Sequence, residues 1–169
     1  MKLSKNLTLF EFTHAGSGKK FTAECQHILS VEQTAHAIDL AHHCFQPIRD
    51  YINLFYGTGV GKTDIPIYLL SGFRCLRLNN QVEGAKNSYH MKAQAMDLRC
   101  TVNKILRNDL ILEAIKVLQI PFTELILEYG TIKNPLWVHI ALDENNIFHS
   151  VKRATFVKNK KVIQHLLVW

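Results

Sequence analysis

The hydrophobic pattern divides this 169-residue chain into a helical first part and a strand-rich last part. Between residues 32 and 55, apolar side chains recur at Ala35, Ile38, Ala41, Phe45, Ile48, Ile52 and Phe55. That three-and-four spacing predicts a long helix with one buried stripe. Pro47 falls inside the stripe; lacking an amide proton and crowding the preceding turn, it predicts a kink or a split. Residues 65–70 form a short apolar run that reads as a strand leading into Ser71-Gly72-Phe73-Arg74, followed by a short helix and a loop to residue 87. From 102 to 118, Ile105, Leu106, Ile111, Leu112, Ile115 and Leu118 predict a second helix with Thr101 or Asn103 as its N-cap.

Beyond Pro121 the pattern shortens. Residues 123–128, 137–142, 148–155 and about 162–167 predict strands, with Asp143-Glu144-Asn145-Asn146 and Lys158-Asn159-Lys160 as turns. Helices followed by antiparallel strands indicate an α+β fold, a small antiparallel sheet packed against helices, rather than an alternating parallel one. The length suits a single domain over residues 1–169, and the Gly-containing stretches at 16–18 and 57–61 read as loops.

Composition narrows the function classes. A hydrophobic fraction of 47% with 20% charged residues is that of a globular chain, not a disordered one. No window approaches the roughly 20 apolar residues needed to span a bilayer. Met1-Lys2-Leu3-Ser4-Lys5-Asn6 opens no signal-peptide core, so the expected site of synthesis is the cytoplasm. The net charge of +6 favours anionic partners: nucleic acid, anionic lipid or the acidic polymers of a bacterial wall. Part of that excess, Lys152, Arg153, Lys158, Lys160 and Lys161, belongs to solvated hairpin edges. Cys25, Cys44, Cys75 and Cys100 form no C-x-x-C pair and read as small buried hydrophobes, Cys75 and Cys100 flanking the candidate site.

The chemistry-bearing stretch runs from Ser88 to Asp97, where His90 and Asp97 stand seven residues apart around small side chains. A second imidazole arrives at Trp137-Val138-His139-Ile140. Two neutral imidazoles and one carboxylate would leave the fourth tetrahedral position of Zn²⁺ open for water, as a hydrolytic site requires. In a chain with nine histidines that spacing is not diagnostic by itself. His42 and His43 have no third partner in register and read as surface or core residues.

Several ordered blocks carry more. Leu3-Ser4-Lys5-Asn6-Leu7-Thr8-Leu9-Phe10-Glu11-Phe12, Gln46-Pro47-Ile48-Arg49-Asp50, Ser71-Gly72-Phe73-Arg74 and Gly84-Ala85-Lys86-Asn87-Ser88-Tyr89-His90 are followed by the S-x-H-x(6)-D block ending at Asp97 and the W-V-H block at His139. Together they resemble the D-Ala-D-Ala carboxypeptidases and phage endolysin peptidases of the M15 zinc-peptidase family, in its compact branch. The resemblance implies a hedgehog- and DD-peptidase-like fold and one Zn²⁺ per chain held by His90, Asp97 and His139. It also implies that Arg74 points its guanidinium at the substrate, where a fixed fork of donors can polarise a carbonyl or bind a carboxylate.

Zinc hydrolases of this kind also need a general base, and Glu128 is the candidate. If residues 123–128 and 137–142 pair with Glu128 opposite Trp137 and Ile126 opposite His139, these four share one face; a one-residue slip would separate them. Ser88 either supports a ligand two residues away or is a turn serine, and Trp137 either walls the cleft or packs in the core. Relatives often place an acid three residues before the last histidine, where this chain has Leu136. They also usually carry Gly where this chain has Ala93, a change that an extended backbone would tolerate.

The activity implied is zinc-dependent hydrolysis of peptidoglycan stem peptides, as a D-Ala-D-Ala carboxypeptidase or an L-Ala-D-Glu-type endopeptidase. The expected form is a monomer without nucleic-acid or membrane partners, a phage lysin or virion-associated enzyme acting on the wall after release. Leu136 motivates the alternative, an inactive module of the same fold that binds zinc and cell wall. Basic charge alone raises nucleic-acid binding, for which no motif is present.

Overall fold

The computed structural model describes residues 1–14, 26–57, 64–147, 149–157 and 160–166. A short antiparallel pair, β1 (Lys2–Ser4) and β2 (Leu7–Thr8), runs into α1 (Leu9–His14). Thr8 and Glu11 close the start of α1 reciprocally: the Glu11 carboxylate accepts from the Thr8 amide at 2.8 Å, and Thr8 Oγ1 accepts from the Glu11 amide at 3.2 Å. A second capping box, Ser30 with Gln33, opens α2 (Val31–Leu40).

α2 continues through a π-helical turn, Ala41–Phe45, into α3 (Gln46–Tyr56). The break predicted at Pro47 takes this form. The Gln46 amide reaches back five residues to the Ala41 carbonyl. Widening the turn just before the proline, which falls in the first turn of α3, lets the helix proceed without asking Pro47 for a hydrogen bond.

Next come β3 (Ile67–Ser71), α4 (Leu76–Gln81), a 3₁₀ turn at Tyr89–Lys92 and β4 (Ala95–Val102). The helix predicted from residue 102 starts later. Asn103 and Lys104 have φ of 50° and 65°, and they turn β4 onto β5 (Ile105–Leu106), with Val102 opposite Ile105. Two consecutive positive-φ residues are the signature of a tight primed hairpin turn, so Ile105 and Leu106 are strand residues whose spacing mimics a helix face. α5 (Asn108–Val117) begins after Arg107, which gives no side-chain cap; neither Thr101 nor Asn103 caps it.

β6 (Glu124–Glu128), β7 (Trp137–Ala141), β8 (Ser150–Val157) and β9 (Lys160–His165) complete the chain. Among the described residues, seven strands form one sheet in the order β3-β4-β7-β6-β8-β9, with β5 on β4. The architecture is α+β. The sheet differs from a wholly antiparallel one at a single ladder, β6 with β8, which is parallel. β7 is already paired on both edges, so the returning β8 takes the free edge of β6 and runs in its direction. The predicted turn at 158–160 lies largely outside the described residues, as does Cys25. Cys44, Cys75 and Cys100 are buried and form no disulfide with one another.

Strand alternation gives the sheet two chemistries. Met96, Leu98, Cys100, Leu125, Leu127, Val138 and Ile140 enter the core with Ile48 and Ile52 of α3 and Ile111 and Ile115 of α5. The intervening residues, Asp97, Glu124, Ile126, Glu128, Trp137 and His139, lie on the other face. Lys104 carries a left-handed backbone that costs a non-glycine residue about 1–2 kcal/mol. Lys104→Gly should therefore stabilise the protein by about 0.5–1 kcal/mol after the added unfolded-chain entropy, measured as a rise in urea midpoint at unchanged slope.

Candidate metal centre

Asp97 sits within β4, opposite Ser71 of β3 on one side and His139 of β7 on the other. The same row continues to Ile126 of β6, so the register brings a carboxylate and an imidazole from neighbouring strands onto one face. His90 reaches them from the 3₁₀ turn that precedes β4. Its ring is held by the backbone: Nδ1 donates to the Gly72 carbonyl at 2.7 Å, while the His90 carbonyl accepts from the Arg74 amide at 3.1 Å.

Gly72 can be there only as glycine. A Cβ at that position would lie 2.3 Å from the Phe12 carbonyl oxygen, where α1 packs against the end of β3. The buried Gln26 side chain ties the same segment together, donating to the Thr13 and Phe73 carbonyls and accepting from the Cys75 amide. Ala93, which ends the 3₁₀ turn, is not extended as expected. It has φ 59° and ψ 26°, the left-handed conformation, because the chain must reverse sharply between His90 and β4. A glycine at this position would relieve a strain that Ala93 carries.

The donor atoms converge. Asp97 Oδ1 is 2.9 Å from His139 Nδ1 and 3.4 Å from His90 Nε2, and the two ring nitrogens are 3.2 Å apart. All three residues are buried, and one ligand atom from each falls within 4.8 Å of the others. Asp97 Oδ2 accepts from Arg74 Nη2 at 2.8 Å, and Arg74 Nε donates to Ser71 Oγ at 2.8 Å. Burial would raise the Asp97 carboxyl, but the facing His90 and His139 outweigh it and hold it well below its ordinary range. Burial lowers His90 from its ordinary 6.5, against the pull of Asp97.

This arrangement fits a divalent metal. With the His90 proton on Nδ1 facing Gly72, the Nε2 lone pair points into the cluster, where His139 Nδ1 and Asp97 Oδ1 also point. Two nitrogens and one hard oxygen, without thiolate, are a donor set for Zn²⁺ with a position left for water.

The other candidate residues lie nearby but in different roles. The hairpin register is Glu128 opposite Trp137 and Ile126 opposite His139, the one that keeps all four on one face. Glu128 is buried; its Oε1 accepts from Lys161 Nζ at 3.1 Å, and its Oε2 has no hydrogen-bond partner among the described residues. Trp137 is half-buried and packs 5.1 Å from the Tyr129 ring. Ser88 precedes the 3₁₀ turn and accepts the Met91 amide through its carbonyl; its side chain provides no cap. Leu136 is exposed just ahead of β7, its carbonyl accepting from Arg99.

The sequence pattern does not single out Glu124, although its parity with Ile126 and Glu128 places it on the site face. Gln26 leaves no signal at all, because its partners are backbone groups from distant segments. His43 does find partners: with Asp39 and Glu144 it brings three ligand atoms within 4.8 Å at the surface.

Two outcomes follow from this geometry. Gly72→Ala should cost about 1–3 kcal/mol, since the backbone oxygen it meets cannot swing away, and should weaken metal uptake by displacing the His90 acceptor; thermal melts with and without zinc read both. For the metal-free protein, His90 contributes stability that is present above pH 6.5 and lost as the pH falls toward its lowered folded value. Wild type should lose stability faster than His90→Gln below pH 6.5, by at most about 1.4 kcal/mol per pH unit, measured by urea unfolding in chelator.

Comparison with known proteins places this arrangement in a family. A search of curated proteins finds no match. The family model described as Peptidase M15 matches residues 56–141, from the end of α3 through β7, just over half of the 169-residue chain. That span contains Arg74, His90, Asp97, Glu128 and His139, and with them the whole of the converging cluster; the chain belongs to the peptidase M15 family.

Proposed function

We propose that this chain is a zinc-dependent peptidase of bacterial cell walls, hydrolysing peptidoglycan stem peptides at a D-Ala-D-Ala or L-Ala-D-Glu type of bond. One observation carries the reading: two buried imidazoles and a carboxylate converge on the sheet face opposite the apolar core, with Arg74 bound to the far oxygen of that carboxylate. A zinc ion held by His90, Asp97 and His139 would supply Lewis acidity and a water of lowered pKa.

The chain's own residues do the rest. Arg74 commits Nε to Ser71 and Nη2 to Asp97, so its planar fork is fixed in orientation and Nη1 is the group offered to a substrate carbonyl or carboxylate. Glu128, whose Oε2 is unpartnered, takes a proton from the attacking water and returns it to the leaving amine nitrogen. Trp137 lines the cleft beside them. The net charge of +6 suits an anionic wall polymer, and no helix among the described residues is long and apolar enough to cross a membrane. Release to the wall as a phage lysin or virion-associated enzyme, acting as a monomer, completes the proposal.

A second reading has its own observation. Leu136 stands exposed where relatives often have an acid, which suits a module that binds zinc and wall without cutting. Peptide release from purified sacculi separates the two, using wild type, His90→Ala and Glu128→Gln with metal content measured for each. Hydrolysis predicts about one zinc per chain and peptide release by wild type, loss of both in His90→Ala, and loss of release alone in Glu128→Gln. Zinc and sacculus binding without release by wild type would establish the binding module.

A further inference from the structure

The two imidazoles of the cluster are secured differently. His90 donates its Nδ1 proton to a backbone carbonyl, Gly72, and so presents Nε2. His139 presents the opposite nitrogen: Nδ1 faces Asp97 Oδ1 at 2.9 Å and His90 Nε2 at 3.2 Å. A neutral imidazole carries one proton, so if Nδ1 gives its lone pair to a metal, the proton must sit on Nε2 and needs an acceptor. That Nε2 is buried and has no hydrogen-bond partner among the described residues.

Glu124 faces it, with Oε1 3.7 Å away, beyond a hydrogen bond but within one small side-chain adjustment of it. The other oxygen of Glu124, Oε2, is held by Lys152 of β8. Glu124 lies two residues before Ile126, the residue opposite His139, on the same side of β6. Its side chain is mostly buried, at 17% exposure, so few competing partners are available from water.

We infer that Glu124 is a positioning residue for the metal centre: it accepts the Nε2 proton of His139, selects the tautomer that leaves Nδ1 free to ligate, and is itself oriented by Lys152. The assignment rests on the zinc reading above. It separates Glu124 from Glu128, which stands on the opposite side of Ile126 and is paired with Lys161.

The test measures zinc affinity by competition with a chromogenic chelator for wild type, Glu124→Gln and Glu124→Ala. It also determines the His139 tautomer by nitrogen-15 NMR of the zinc-loaded protein, and peptide release from sacculi. The expected result is a roughly 10–100-fold loss of zinc affinity in Glu124→Ala, a smaller loss in Glu124→Gln, whose amide oxygen still accepts, and a proton on His139 Nε2 in wild type. Affinity in Glu124→Ala within about twofold of wild type, well short of the usual effect of an outer partner, overturns the assignment. So does a His139 proton on Nδ1 in the zinc-loaded protein. If Glu124→Gln binds zinc as wild type does yet releases no peptide, Glu124 is a proton-transfer group and the positioning role is wrong. Should Glu124→Ala fail to fold, the glutamine variant and the NMR tautomer decide. A wild type that binds no zinc removes the metal reading itself, and this assignment goes with it.

Discussion

A carboxylate buried within a sheet has to be answered on both oxygens, and Asp97 is. Oδ2 takes the Arg74 guanidinium and Oδ1 takes His139, with His90 close behind. Removing a charge of this kind from water costs several kcal/mol, and only well-placed partners offset it. The demand organises the surroundings. Arg74 is kept in place by Ser71 and by its own amide on the His90 carbonyl, so the S-G-F-R segment, the 3₁₀ turn and β4 are linked through one residue, its backbone reaching the turn and its side chain reaching β4. A divalent cation at the same point would add to what the protein's own donors begin, since its charge is another answer to the buried carboxylate.

The site also depends on a division of labour across the sheet. One face is spent on the core beneath α3 and α5, and the alternate residues of β4, β6 and β7 are thereby directed to the opposite side. Pairing register then decides which of those residues meet. A one-residue slip between β6 and β7 would carry His139 into the apolar face and expose Val138 or Ile140, so core burial and site geometry enforce the same register. Gly72 supplies the last constraint: its missing side chain allows α1 to approach the backbone that orients His90.

How far the sequence reveals this depends on the range of the interaction. The alternation in 123–128 and 137–142 is local, and the strands and their two faces follow from it, whereas which residues stand opposite one another is seen only in the paired sheet. The helical stripe from Ala35 to Phe55 likewise predicts α2 and α3, and Pro47 marks the break between them. Ile105 and Leu106 mislead, because two apolar residues on a short hairpin arm satisfy a helical spacing as well as a strand; the positive φ of Asn103 and Lys104 distinguishes them, and Lys104 is not a residue that announces such a turn. Ala93 misleads for the same reason, since a left-handed backbone at an alanine leaves no local mark. The parallel pairing of β6 with β8 is a matter of which sheet edge remains open, which no single segment encodes.

By itself, then, the sequence determines the α+β class, the two-faced strands and the ordered blocks that carry His90, Asp97 and His139, because each rests on periodicity or on motif residues a few positions apart. The tertiary structure decides what those residues touch. It turns Arg74 toward Asp97, places Glu124 rather than Glu128 against His139, and recruits Gln26 to clamp three backbone groups from two distant segments. These are contacts between side chains and distant strands or turns. They depend on sheet order, turn handedness and close backbone approach, quantities that exist only once the chain has folded.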